Sequence, residues 1–359
     1  MFNVNSNINK AFTIDSSIYD SKEIFELSKE KIFSKTWQYV CERDHIKTPG
    51  QCFPFSFIDN YIDEPLLLTR DESDQLHCFS NVCTHRGNIL VENPCNVKNL
   101  KCRYHGRRFD LNGKFRGMPE FEKAENFPTE EDNLTKVSFD TWQNFIFASL
   151  NPVAPLKSFI KEMQDRMYWF DFDSLKFDSS RSRDYLVKAN WALYVENYLE
   201  GFHIPYVHSS LNAVLDYGDY SQEIYANSNL QLGIGKKGEE NFILPSGHID
   251  ENKNICAYYY WVFPNMMFNF YPWGVSINIV KPIEVNLTKV SFLTFISDVT
   301  KLDKGAGAGL DRVEREDESI VEAVQKGVKS RFYKRGRFSP TREQGVHHFQ
   351  RLLCDYLNQ

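Results

Sequence analysis

The sequence predicts an α+β chain of two domains, an all-β N-terminal one and a C-terminal one built on an antiparallel sheet with long helices. Three observations carry this. At 359 residues and 42.1 kDa the chain is too long for one typical core. From Trp37 to about Leu150 it runs in short apolar stretches such as QCFPFSFI, PLLLTR and NFIFASL, separated by Gly, Pro, Asn and Asp, the texture of compact antiparallel strands. Beyond NPVAPLKSF (151–159) that texture gives way to a mixture of helical stripes and longer strand-like runs.

In chain order, residues 14–36 place Ile24, Leu27, Ile32 and Phe33 at helical spacing, so residues 1–36 are expected to be a helical segment packed on the C-terminal domain. The β domain is set at 37–152 and the C-terminal domain at 153–359. In the latter, NWALYVENYLEGFHI (190–204) repeats apolar residues at Trp191, Val195, Tyr198 and Phe202, with Asn190 as N-cap. ICAYYYWVF, MMFNFYPWGVSINIV and KVSFLTFISDV, within 255–298, read as strands. GAGAG (305–309) reads as a flexible connector, and 311–329 returns to helical period.

Bulk composition narrows the function. A net charge of −6 gives no basic footprint for nucleic acid or an anionic membrane. The opening MFNVNSNINKAFTIDSS has no basic stretch followed by an apolar run, and no apolar run reaches membrane-spanning length. The eight cysteines are scattered, which suits reduced thiols and metal ligands rather than a disulfide framework. A cytoplasmic location is expected. The 29 phenylalanines and 18 tyrosines promise large aromatic cores or an aromatic pocket.

The chemistry lies first in CTHRGNILVENPCNVKNLKCRYHG (83–106). It contains Cys83-x-His85 and Cys102-x-x-His105, each followed closely by glycine. Two Cys and two His can hold zinc or an iron–sulfur cluster. Each half-site here supplies one of each, which suits a [2Fe–2S] cluster with two thiolates on one iron and two imidazoles on the other. This stretch closely resembles the Rieske pattern. Neither loop carries the extra cysteine that forms a disulfide in high-potential Rieske proteins, so the loops resemble the low-potential type. Arg103 and Arg107 are expected to form a basic rim around His105 where an electron donor docks, or else to be ordinary solvated arginines.

A second metal site is expected in ENYLEGFHIPYVH (196–208). His203 and His208 are five apart, about 140° on a regular helix, and Pro205 between them disfavours a continuous helix. His203 is therefore placed on a last helical turn and His208 on the following loop. Two histidines and a carboxylate make the facial triad of a non-haem iron(II) oxygenase. Glu200 is one possible carboxylate. In DRVEREDESIVEAVQKGV (311–328), however, Asp317 falls within about 20° of the centre of the stripe Val313, Ile320, Val321, Val324 and Val328, with Glu314 and Glu316 about 70–90° away. An acid amid an apolar face must be paired or metal-bound, so Asp317 is the expected third ligand.

From about residue 37 onward the chain resembles the α subunit of the Rieske non-haem iron oxygenases, the ring-hydroxylating oxygenase family. The resemblance implies an N-terminal Rieske domain and a C-terminal helix-grip catalytic domain with one mononuclear Fe(II). It implies O2 as co-substrate, and NAD(P)H electrons arriving through a flavin reductase or ferredoxin. In that family the two metals of one chain are too far apart for efficient transfer, and a head-to-tail homotrimer brings one subunit's cluster to the next subunit's iron. By motif position Glu200 is the bridging carboxylate, joining a neighbour's His105 to His203. Expected chemistry is hydroxylation or oxidative demethylation of a small organic molecule. YYYWVFPNMMFNFYPWG (258–274) is expected to border the pocket with alternate residues. The ENYLEGFH segment is similar to that of members acting on quaternary ammonium compounds, which gives a slight lean to such a substrate over an aromatic ring. An electron carrier or ligand-binding protein without catalytic iron is the alternative of another class.

Overall fold

The computed structural model describes residues 1–218 and 220–359, which fall into two compact units, Ser34–Val153 and Met1–Phe33 with Ala154–Gln359. The first is all-β. Strands β1 (Gln38–Glu42), β2 (Gln51–Phe57), β3 (Glu64–Arg70), β4 (Leu76–Ser80), β5 (Cys95–Asn96), β6 (Leu100–Lys101), β7 (Arg108–Phe109), β8 (Phe115–Gly117), β9 (Ser138–Trp142) and β10 (Phe145–Ser149) form three small antiparallel sheets in the orders β1-β10-β9, β4-β3-β2-β5 and β6-β7-β8. Leu67, Phe79, Leu100, Phe109 and Leu134 bury together around Cys83 and Cys102. The core thus backs directly onto the two thiols.

In the second unit the N-terminal segment is less regular than its periodicity suggests. A 3-10 turn, Ser16–Tyr19, precedes α1 (Lys22–Ser28), whose N-cap Ser21 accepts from the Ile24 amide. A π turn, Lys29–Phe33, follows. This change of helical pitch shifts the phase, so Phe25, Ile32 and Phe33 are buried while Leu27 is exposed. The Ile14 amide donates to Gln350 and the Tyr19 hydroxyl to Glu196, tying the segment to two helices of its own unit.

After α2 (Lys157–Arg166), strands β11 (Lys176–Phe177) and β12 (Arg183–Val187), α3 (Trp191–Tyr198), α4 (Ile204–Val207) and α5 (Ser209–Val214) come β13 (Ser221–Ile224), β14 (Ser228–Ile234), β15 (Ile255–Val262), β16 (Met266–Tyr271), β17 (Gly274–Glu284) and β18 (Leu287–Ile296). The sheet runs β11-β18-β17-β16-β15-β14-β13, with β12 also on β18, all antiparallel. The long α6 (Leu310–Val328) packs on α3 and β12, and α3 packs on β17, so helices cover one face of the sheet. GAGAG is a 3-10 turn with Ala306 buried, leading straight into α6 rather than forming an open connector.

The C-terminal α7 (Gln344–Leu357) packs on β13 and α3. At its start a Cβ on Gly345 would collide with the Leu199 carbonyl. The Gly345 amide donates to Gln222 Oε1, and Gln222 Nε2 donates back to that same carbonyl. No helix among the described residues is long and apolar enough to cross a membrane.

Candidate metal centres and substrate cavity

The two Cys/His loops have the same internal bonding. In the first, the Cys83 amide donates to the Asn88 carbonyl at 2.8 Å and the Gly87 amide to the Cys83 carbonyl at 3.0 Å. In the second, Cys102 donates to Arg107 at 2.8 Å and Gly106 to Cys102 at 2.9 Å. Gly87 and Gly106 hold φ of 72° and 74°, a left-handed turn that glycine adopts without strain. The rings of His85 and His105 lie 4.8 Å apart, and His105 Nδ1 is buried without a hydrogen-bond partner. Burial, together with the neighbouring Cys102, raises the Cys83 thiol. Two buried sulfurs, facing imidazoles and an orphaned inner nitrogen fit a [2Fe–2S] cluster of the two-thiolate, two-imidazole kind.

The basic rim is only half present. Arg103 is exposed and paired with Glu92. Arg107 is 2% exposed and turned inward: its Nη2 bonds Asp132 Oδ1 at 2.6 Å, and its guanidinium lies over Phe115 at 4.6 Å, with Phe109 and Phe127 further out. Burial beneath three rings, with an acid supplied from 25 residues along the chain, overrides the usual preference of arginine for solvent.

In the second unit α3 begins at the N-cap Asn190, whose side chain accepts from the Ala192 amide at 3.0 Å, but it stops at Tyr198. Phe202 therefore lies beyond the helix and is exposed. His203 is not on a last helical turn. It is the N-cap of α4, with Pro205 in the first turn, and His208 sits between α4 and α5. Proline favours that position because its missing N–H has no helical partner there. The short helix turns the five-residue spacing into convergence: the two Nε2 atoms are 3.1 Å apart.

Asp317, on α6, completes the group, its Oδ1 lying 3.0 Å from His208 Nε2 and 3.4 Å from His203 Nε2. The outer nitrogens are taken. His203 Nδ1 bonds Glu200 Oε1 and His208 Nδ1 bonds Glu316 Oε2, both at 2.8 Å, so both Nε2 atoms face inward. Asn197 donates to Asp317 at 2.6 Å. Burial alone would raise Asp317, but hydrogen bonds from the two histidines outweigh it and hold the acid at about 2. Burial alone would lower His203, yet Asp317 and Glu200 lift it to about 9. An anionic oxygen and two inward imidazole nitrogens in one small triangle fit a divalent iron.

The triad opens on a cavity of about 800 Å³, its mouth included. One row of the sheet forms its floor: Gln231 pairs with Tyr259, Tyr259 with Asn269 and Asn269 with Ser276 on successive strands, all lining the cavity. In 258–274 only Tyr259, Asn269 and Tyr271 reach it, while Tyr258, Tyr260, Phe268 and Phe270 are buried off the cavity. Tyr194, Tyr198, Tyr220 and Glu314 also line it. Glu314 is buried, its Oε2 accepting the Tyr194 hydroxyl at 2.5 Å, and burial pushes it up to about 8.

Sequence reasoning missed Asn269, Ser276, Asn278, Glu314 and Glu316. Ser276 and Asn278 did leave a signal, as polar residues at period two inside an apolar strand. Glu314 and Glu316 lost theirs because Ile320 and Val324, counted as inward, are exposed. The buried face of α6 is Glu314, Val321, Gln325 and Val328.

Two family models match. That of the Rieske [2Fe-2S] domain covers residues 36–128, and that of the ring hydroxylating alpha subunit (catalytic domain) covers 172–359, more than half the chain. The chain belongs to the ring-hydroxylating α-subunit family of Rieske oxygenases, whose cofactors are a [2Fe–2S] cluster and a mononuclear non-haem iron.

Among curated relatives, choline monooxygenase (chloroplastic) of Arabidopsis thaliana is 29% identical over 365 residues, covering 96% of this chain and 83% of its own. The carnitine monooxygenase oxygenase subunit of Escherichia coli (strain K12) is 26% identical over 369 residues, covering 97% and 95%. A crystal structure of the quaternary ammonium Rieske monooxygenase CntA superposes with a TM-score of 0.78 at 23% identity over 98% of this chain and 97% of that one, which shows a shared fold.

Proposed function

We propose that this chain is the terminal oxygenase of a system that hydroxylates or oxidatively demethylates a quaternary ammonium compound. The observation that carries the reading is the triangle of His203, His208 and Asp317 opening on a tyrosine-lined cavity, since aromatic rings attract quaternary ammonium groups. The names of the choline and carnitine relatives point the same way. In this reading Cys83, His85, Cys102 and His105 hold the cluster, and His203, His208 and Asp317 hold the iron.

When bound, the cluster supplies electrons and the iron activates O2. The protein's own groups do the rest. Glu200 and Glu316 fix the imidazole tautomers, and Asn197 restrains the Asp317 carboxylate. Glu200 also accepts the His203 amide at 3.0 Å, which fixes a carboxylate beside the ligand. We assign it the bridge to His105 of a neighbouring subunit in a homotrimer. A flavin reductase or ferredoxin donor and a cytoplasmic location belong to the same proposal, and the latter is supported by the six cysteines besides Cys83 and Cys102, none of them in a disulfide.

The aliphatic side of the cavity, Ile204, Leu211, Leu215, Leu310 and Val313, favours a second reading, hydroxylation of an aromatic ring. Anaerobic purification followed by metal and sulfide counting tests the centres. It should give about three irons and about two acid-labile sulfides per chain, with a Rieske-type signal after dithionite reduction. Reductase-driven O2 uptake with choline or L-carnitine against toluene separates the substrate readings. Turnover of toluene alone would overturn the first.

A further inference from the structure

Apart from the two histidines of the triad, the cavity wall carries acid and no basic side chain. Among the described lining residues there is no lysine or arginine. Of its three carboxylates, Asp317 is engaged with two histidines and Asn197, and Glu200 with His203. Glu314 differs. It is 3% exposed, its Oε2 takes one hydrogen bond from Tyr194, and its Oε1 is buried with no partner. A buried carboxylate oxygen with nothing to accept from is costly. Three residues before Asp317 on α6, it lies about 4.5 Å along the helix axis from the expected iron ligand.

Basic residues do line a second cavity, which shares Ser276, Phe292 and Leu310 with this one and contains Arg181 and Arg183. Those charges are committed. Arg181 forms a two-pronged pair with Asp303 at 3.2 Å per bond. Arg183 Nη1 donates to the Ser180 and Ser182 carbonyls, and Asp303 and Asp311 line the same space.

We infer that Glu314 is the counter-ion that sets specificity, so that the cavity takes a net-cationic quaternary ammonium compound with a neutral polar end, as in an amino alcohol, in preference to a zwitterion. This deepens, and rests on, the quaternary ammonium reading above. A quaternary ammonium seated here favours the ionised form of the Glu314 carboxyl, which burial otherwise disfavours, and the rings of Tyr194 and its neighbours hold it by cation–π attraction. The neutral end meets the buried Ser276 and Asn278 side chains. A substrate carboxylate would instead be desolvated beside Glu314 and Glu200, with no lysine or arginine to meet it.

The test is calorimetric binding to the iron-loaded, reduced enzyme, using choline, glycine betaine, L-carnitine and the uncharged isostere 3,3-dimethylbutan-1-ol. Wild type and Glu314→Gln are compared, with iron content and the cluster's EPR signal as checks of integrity. Wild type should bind choline at least tenfold more tightly than either zwitterion and than the isostere. Glu314→Gln should weaken choline 10- to 100-fold, about 1.4–2.8 kcal/mol, and leave the isostere unchanged. Equal binding of choline and the zwitterions by wild type, or choline binding indifferent to Glu314→Gln, overturns the counter-ion while leaving the quaternary ammonium reading intact. Binding of the isostere and toluene but of no quaternary compound overturns both. The wild-type ligand series decides by itself if the variant does not fold.

Discussion

The two metal-binding regions solve the same problem at different range. In the Rieske unit four donors come from one short stretch, and two loops with matching hydrogen bonds and matching left-handed glycines present them. In the catalytic unit the two histidines flank a single-turn helix, and the carboxylate arrives 109 residues after His208 from another helix. A local site depends on turn chemistry and on the small core behind it. A dispersed site depends on how helices are stacked on the sheet, and on the residues that hold the outer nitrogens.

That contrast can be broken most sharply by removing one donor from each region. Asp317→Ala should abolish oxygenation and remove the mononuclear iron while the cluster's EPR signal and labile sulfide stay intact. Cys102→Ser should remove cluster iron and sulfide together. If Asp317→Ala kept its full iron, this carboxylate would not be a ligand.

Glu200→Gln should come next. It should retain both metals yet slow reductase-coupled turnover on the order of 100-fold, because it alters a carboxylate that orients a ligand and, in our reading, bridges subunits. Normal coupled turnover would remove the bridge assignment. Glu316→Gln tests the other outer nitrogen and should weaken iron affinity by about 10–100-fold, read by chelator competition, with the cluster untouched.

The smallest contrasts lie inside the Rieske unit. Arg107→Ala breaks a buried ion pair and should cost about 3–5 kcal/mol, seen as loss of cluster absorbance at lower temperature. Arg103→Ala, at an exposed pair, should cost about 0–1 kcal/mol. Equal melting of the two variants would show that the burial of Arg107 contributes little.

Range also explains what the sequence made legible. That Cys83, His85, Cys102 and His105 sit on two matching loops could be read because loop geometry is encoded within a few residues of each side chain. Asp317 could be read because an acid near the middle of an apolar stripe has few harmless explanations. Its neighbour Glu314 escaped because the stripe was drawn through Ile320 and Val324, which face solvent, while the true inward face includes Gln325. Counting apolar residues cannot see a face that packs through polar ones. Arg107 escaped for a related reason: nothing around CRYHGR announces that Asp132 and three phenylalanines will enclose it. His203 was misplaced by one element, since α3 stops at Tyr198 and Pro205 starts a short helix instead of ending a long one.

Gly345 gives the C-terminal helix a hold on chemistry it never touches. Its bare Cα rests against the carbonyl of Leu199, the residue before Glu200, and Gln222 clasps both. Anyone reshaping this enzyme by directed evolution or by fusing a tag to its tail therefore works at one end of a lever. A methyl group added at position 345 would push the carboxylate-bearing loop from behind, and would misalign the iron site while leaving every wall of the cavity chemically unchanged.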